Sequence, residues 1–96
     1  MCIWIEHLPA GKRLLRFAEL SPEERVGLLD WVGWVQQRLS AQTSVPDGFN
    51  LGLNDGPAAG QTTPQFHFHV IPRYHADIPD PRGGMRWIIP SKAKYW

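Results

Sequence analysis

The chain has 96 residues, enough for one domain, and its ten basic and nine acidic side chains leave a net charge of +1. That balance gives no argument for nucleic acid or a membrane surface as a partner, and no apolar run approaches the roughly 20 residues of a membrane span or reads as a signal peptide. The single cysteine, Cys2, excludes an internal disulfide and fits a reducing compartment, so a cytoplasmic protein is expected. A chain this short has a thin core, yet it carries five Trp, four Phe and two Tyr. Part of that aromatic surface is expected to meet a second copy of the chain, in a homodimer.

In chain order, Met1 to Glu6 reads as a short apolar strand, Pro9-Ala10-Gly11 as a turn, and Leu14 to Phe17 as a second short strand. Leu20-Ser21-Pro22-Glu23-Glu24 combines an N-cap serine, a proline at the first helical position and a glutamate at the third. Behind it Leu28, Trp31, Val32, Val35 and Leu39 recur at three- and four-residue steps, which predicts an amphipathic helix from about residue 22 to about residue 40. Val45-Pro46-Asp47-Gly48 is a turn. Phe49 to Asn54 alternates as a strand, and the small Gly/Pro-rich run Asn54 to Gly60 must be a loop.

From Gln65 to Ile71 the chain alternates again. Gln65, His67, His69 and Ile71 take one face of a strand, and Phe66, Phe68 and Val70 take the other. Pro72 is expected to close that strand, since it has no N–H for a ladder. The two strands joined by the loop should pair antiparallel. The remainder, from Asp77 to Gly84 and on to Trp96, is polar and Pro/Gly-rich and then apolar, with no repeat and no linker that would divide the chain.

Two histidines at i and i+2 on a strand have three explanations: half-exposed structural residues, metal ligands or catalytic groups. A metal site needs a third ligand, and Cys2, His7, His75 and Asp77 are available without a recognised spacing. The catalytic reading draws on the neighbouring loop. A neutral imidazole is a nucleophile toward phosphorus, and a phosphoryl group needs donors that the backbone amides of Gly60-Gln61-Thr62, with the Gln and Thr side chains, would supply. Taken alone, the loop reads rather as a plain hairpin connection, and it is loop and strand together that favour the catalytic reading.

The stretch Asn50, Gly52, Asn54-Asp55-Gly56, Ala59-Gly60-Gln61-Thr62 and His67-Phe68-His69-Val70-Ile71-Pro72-Arg73 resembles the histidine triad superfamily, and most of all the branch of the fragile histidine triad proteins and bacterial dinucleoside polyphosphate hydrolases. The segment from Asp77 to Arg86 and the ending from Pro90 to Trp96 are similar to a bacterial subgroup of it. The resemblance implies an α+β fold, a small antiparallel sheet packed with one main helix, and a homodimer. It also implies nucleotidyl transfer or hydrolysis at an α-phosphate with no metal or other cofactor in the attack. His67 falls on the middle triad position, the family's nucleophile, and His69 on the third, which supports the hydrogen bonding. Asn54, Gly60, Gln61 and Thr62 fall on phosphate-contacting positions.

Two departures qualify what is carried over. The first triad position is Gln65, which hydrogen-bonds with similar reach but cannot carry a proton between species near neutral pH. The resemblance also implies further strands before the central helix, with much of the base and ribose pocket, and a fourth histidine near the start of the strand that here begins at Met1; that position is expected to be missing, with His7 too far along to replace it. The expectation is therefore a naturally shortened single domain over residues 1–96, a mis-assigned start, or a pocket completed by a partner.

Overall fold

The computed structural model describes the backbone of residues 2–4 and all of residues 16–62 and 66–96. Among the described residues three strands form one antiparallel sheet: β1 (Cys2–Trp4), β2 (Gly48–Gly52) and β3 (His67–Arg73), in the order β1-β3-β2. The histidine-bearing strand is therefore central. Phe68 pairs with Ile3 on one side, and Val70 pairs with Leu51 on the other.

The main helix, α1, spans Pro22–Ser40 as its pattern predicts. Its start is a full capping box: the Ser21 hydroxyl accepts from the Glu24 N–H (3.1 Å), and the Glu24 carboxylate accepts from the Ser21 N–H (2.8 Å). Leu28, Val32, Val35 and Leu39 form its buried stripe, and they meet Phe66 and Val70 from the far side of β3. Phe66 and Val70 are 2% and 0% exposed, so the alternation read from the sequence holds on the core face. Burying a valine side chain fully is worth about 1.5–3 kcal/mol, which makes this face the anchor that fixes where the opposite face points. Trp31 is only partly buried and stacks on Trp34 at 4.8 Å between ring centroids.

Two expectations are corrected. Phe17 belongs to a 3-10 turn, Phe17–Glu19, and not to a strand; Leu14, Leu15 and the Pro9-Ala10-Gly11 turn lie outside the described residues. Pro72 does not close β3, which continues to Arg73 with Pro72 opposite Phe49. The described part of β1 ends opposite His69, so at Pro72 the strand has a described neighbour on one side only, the setting in which a residue lacking an N–H is tolerated. The apolar tail forms two more 3-10 turns, Gly84–Ile88 and Pro90–Lys92.

Candidate active site

Core burial of Phe66 and Val70 turns His67, His69, Ile71 and Arg73 to the opposite face of β3. Both histidines are half-buried there. Directly opposite residues of an antiparallel pair share a face, so Gly52 lies beside His69, and Asn50 beside Ile71. Gly52 leaves open space, and the end of the Met85 side chain fills it: a Cβ at Gly52 would lie 3.0 Å from Met85 Cε. His69, Asn50, Gly52, Asn54, Ile71 and Met85 line a hollow of about 240 Å³. Gln65 lies outside the described residues.

The loop from Asn54 to Thr62 is built differently from a row of open amides. Residues Pro57–Ala59 make a 3-10 turn. The Gly60 N–H donates to the Pro57 carbonyl (3.0 Å) and the Gln61 N–H to the Gly56 carbonyl (3.1 Å). The Gln61 side-chain oxygen accepts from the Gly56 N–H at 2.8 Å. The turn thus takes up two of the three amides expected to face an anion, Gly60 through an i→i+3 bond and Gln61 through a bond reaching five residues back. Gly60 acts by shape: it sits at φ 96°, and a Cβ there would lie 3.6 Å from Asn54 Nδ2. Asn54 and Thr62 are exposed.

Asp55 fastens this loop to the entry of α1. Its carboxylate accepts from the Phe17 N–H (3.1 Å) and from Arg16 Nε (3.0 Å). The Phe17 N–H bond is the main reason that its carboxyl is held below the usual carboxylate range, with Arg16 adding to it.

At the end of β3, Arg73 donates to Asn50 Oδ1 (2.6 Å) and makes a two-pronged contact with Asp77, Nε to Oδ2 at 2.6 Å and Nη2 to Oδ1 at 2.7 Å. These bonds hold the Asp77 carboxyl well below its ordinary range, and Asp77 in turn pushes Arg73 up. Asp77 entered the sequence reading only as a candidate metal ligand, and Met85 did not enter it as a site residue. The four-residue spacing of Arg73 and Asp77 is a usable sequence signal, whereas the contact of Met85 with Gly52, 33 positions apart, has none.

The other candidate third ligands do not converge. His75 faces Asp47, with Nε2 3.8 Å from Oδ1, and His7 and the Cys2 side chain lie outside the described residues. Among the described residues no three of His, Cys, Asp or Glu stand together as a metal ion needs. Nor is any described helix long and apolar enough to cross a membrane.

An antiparallel sheet covered by one main helix, with alternating histidines on the open face of the central strand, is the architecture of the histidine triad proteins. Residues 7–76 match the family model described as the HIT domain, and the chain belongs to that family. It is 41% identical over 63 residues to the asymmetrical bis(5'-nucleosyl)-tetraphosphatase of Schizosaccharomyces pombe, covering 66% of this chain and 34% of that protein. It is 54% identical over 28 residues to the bis(5'-adenosyl)-triphosphatase of Saccharomyces cerevisiae, covering 29% of this chain and 14% of that one. An uncharacterised HIT-like protein of Methanocaldococcus jannaschii is 34% identical over 67 residues, 69% of this chain and 50% of its own. The crystal structure of a zinc-bound histidine triad family protein from Mycobacterium smegmatis superposes with a TM-score of 0.62 at 26% identity, over 85% of this chain and 63% of that one. This chain thus spans half or less of the curated relatives that it matches.

Proposed function

We propose that the chain is a histidine-triad nucleotide hydrolase or transferase acting at an α-phosphate of a dinucleoside polyphosphate or nucleotide conjugate. The observation that carries this reading is the pair His67 and His69, half-buried on the open face of the central strand beside the glycine loop, in a chain of the HIT family. The names of the yeast relatives, both hydrolases of dinucleoside polyphosphates, support the substrate class.

A neutral His67 nitrogen attacks the α-phosphorus, forming a P–N bond as the P–O bond to the leaving phosphate breaks, and the electron pair departs with that oxygen. Water then attacks the same phosphorus. Its hydroxyl stays on phosphorus, the P–N bond returns its electron pair to the ring, and the proton released balances the oxyanion that left. His69 supports the hydrogen bonding at the nucleophile. The side chains of Asn54, Gln61 and Thr62 contact the phosphate oxygens, and Gly60 leaves room for Asn54.

Among the described residues no set of three ligands stands ready for a zinc ion like that of the mycobacterial neighbour. The exposed Ile88 and Ile89 at the tail support a homodimer, which light scattering at micromolar concentration tests. Gln65 favours a second reading, a nucleotide-binding protein of the same fold without useful turnover.

The test is to incubate the protein with adenine dinucleotide polyphosphates and nucleoside phosphoramidates and to measure AMP, with and without a chelator. Turnover should be abolished in His67→Ala with the fold intact and should be indifferent to the chelator. Normal turnover by a well-folded His67→Ala protein sinks the mechanism, and chelator-sensitive turnover with one metal per chain replaces it with a metal-dependent one.

A further inference from the structure

The hollow beside His69 does not end at Ile71. It shares Asn50, Ile71 and Met85 with a larger groove of about 520 Å³ that runs along β3 to Arg73 and out to Trp87. That volume is in the roughly 300–1,000 Å³ range of small-molecule sites. The groove is apolar along Ile71, Ile78, Met85 and Trp87, with Arg73 and its partners Asn50 and Asp77 as its polar groups. A few fixed polar groups among apolar walls are what orient a ligand in such sites.

Trp87 distinguishes this groove from a chance depression. The residue is 43% exposed, so burial does not hold its ring. The ring is held instead by its indole N–H, which donates to the Arg82 carbonyl at 2.7 Å, and by Gly83, where a Cβ would lie 2.8 Å from Nε1. A rigid, solvent-facing indole binds a flat ring with little further loss of rotamer freedom. The last two aromatics of the chain are engaged elsewhere. Arg86 lies 5.1 Å from the Tyr95 ring centre and Arg82 lies 4.5 Å from that of Trp96.

We propose that this groove is a base subsite, in which the heterocycle of one nucleoside of a dinucleoside polyphosphate lies against Trp87 and Ile71 while its phosphate chain reaches the histidine face. The proposal rests on the substrate class argued above. It adds a second point of attachment, remote from the phosphate, that selects dinucleotides over conjugates with a small leaving group.

Equilibrium binding tests it, using the full chain, a non-hydrolysable diadenosine polyphosphate and a nucleotide whose phosphate carries no second nucleoside. Trp87→Ala should weaken the dinucleotide roughly tenfold, the scale of a base–aromatic stack, and leave the mononucleotide unchanged. Trp87→Phe should recover most of the loss, and Ile71→Lys should repeat it in a protein whose tail is untouched. Circular dichroism confirms that each variant is folded. Equal dinucleotide affinity in wild type, Trp87→Ala and Ile71→Lys overturns the subsite even where AMP is produced. A Trp87-dependent affinity without AMP production keeps the subsite and overturns the enzyme. No dinucleotide binding by the wild type overturns both.

Discussion

Arg73 and Asp77 face each other across the turn that ends β3, joined by Nε to Oδ2 at 2.6 Å and Nη2 to Oδ1 at 2.7 Å. Asp77 Oδ2 also accepts from the Tyr74 N–H at 3.1 Å, so one carboxylate ties the guanidinium to the turn. The folded carboxyl ionises more readily than an unfolded one. Its contribution to stability is therefore complete above the ordinary carboxylate range, near pH 4, and is lost as the pH falls below it. Asp77→Asn should lower the unfolding midpoint near neutral pH, and the gap to wild type should shrink on acidification below about pH 4. Thermal unfolding over a pH series measures this. A gap that stays constant into strong acid would show that the charge is not what matters.

Gly52 and Met85 meet beside His69. A methyl at Gly52 meets only the flexible end of Met85, so Gly52→Ala should change stability by less than about 1 kcal/mol. It should nevertheless narrow the hollow beside His69 and weaken nucleotide binding by roughly tenfold, the effect of one misplaced carbon in a pocket. Met85→Ala in the same chain should restore binding. Unchanged affinity in Gly52→Ala would place the ligand away from this hollow.

The capping box at Ser21 and Glu24 starts the helix that buries β3. Ser21→Ala removes the acceptor for the Glu24 N–H and should cost about 1 kcal/mol. In a chain of this size that is a drop of about 4–8 °C in the unfolding midpoint, with the groove and any nucleotide binding unaffected below it. A scanning calorimetry trace matching wild type would show that other contacts hold the helix start.

Gln65 separates an enzyme from a binder. If the site is a catalyst weakened at its first triad position, Gln65→His restores a group able to carry a proton near neutral pH. Turnover of a substrate with a poor leaving group should then rise, up to the roughly 10²–10⁴-fold of general acid–base help, while a good leaving group barely changes. Equal, undetectable turnover in both forms, with nucleotide bound by both, would end the enzyme reading.

Local chemistry written over a few residues was readable before any fold was known. Ser21-Pro22-Glu23-Glu24 set the start of α1, the three- and four-residue steps of Leu28, Val32, Val35 and Leu39 set its buried face, and the alternation from Phe66 to Val70 put two histidines on the opposite face. These signals are legible because capping and periodicity involve near neighbours in sequence. The resemblance of the loop and histidines added the family.

Tertiary structure alone decided the rest. Pairing on both sides made β3 central and let Pro72 remain in the strand beyond the described end of β1. The tight turn at Pro57–Ala59 took up the amides of Gly60 and Gln61. The tail placed Met85 over Gly52 and fixed Trp87 at the far wall of the groove. Such contacts join residues far apart in the chain, and they depend on which side chain happens to be absent at the meeting point. No local pattern encodes that, so the histidines could be found by reading, and the hollow beside His69 and the groove that continues it only by folding.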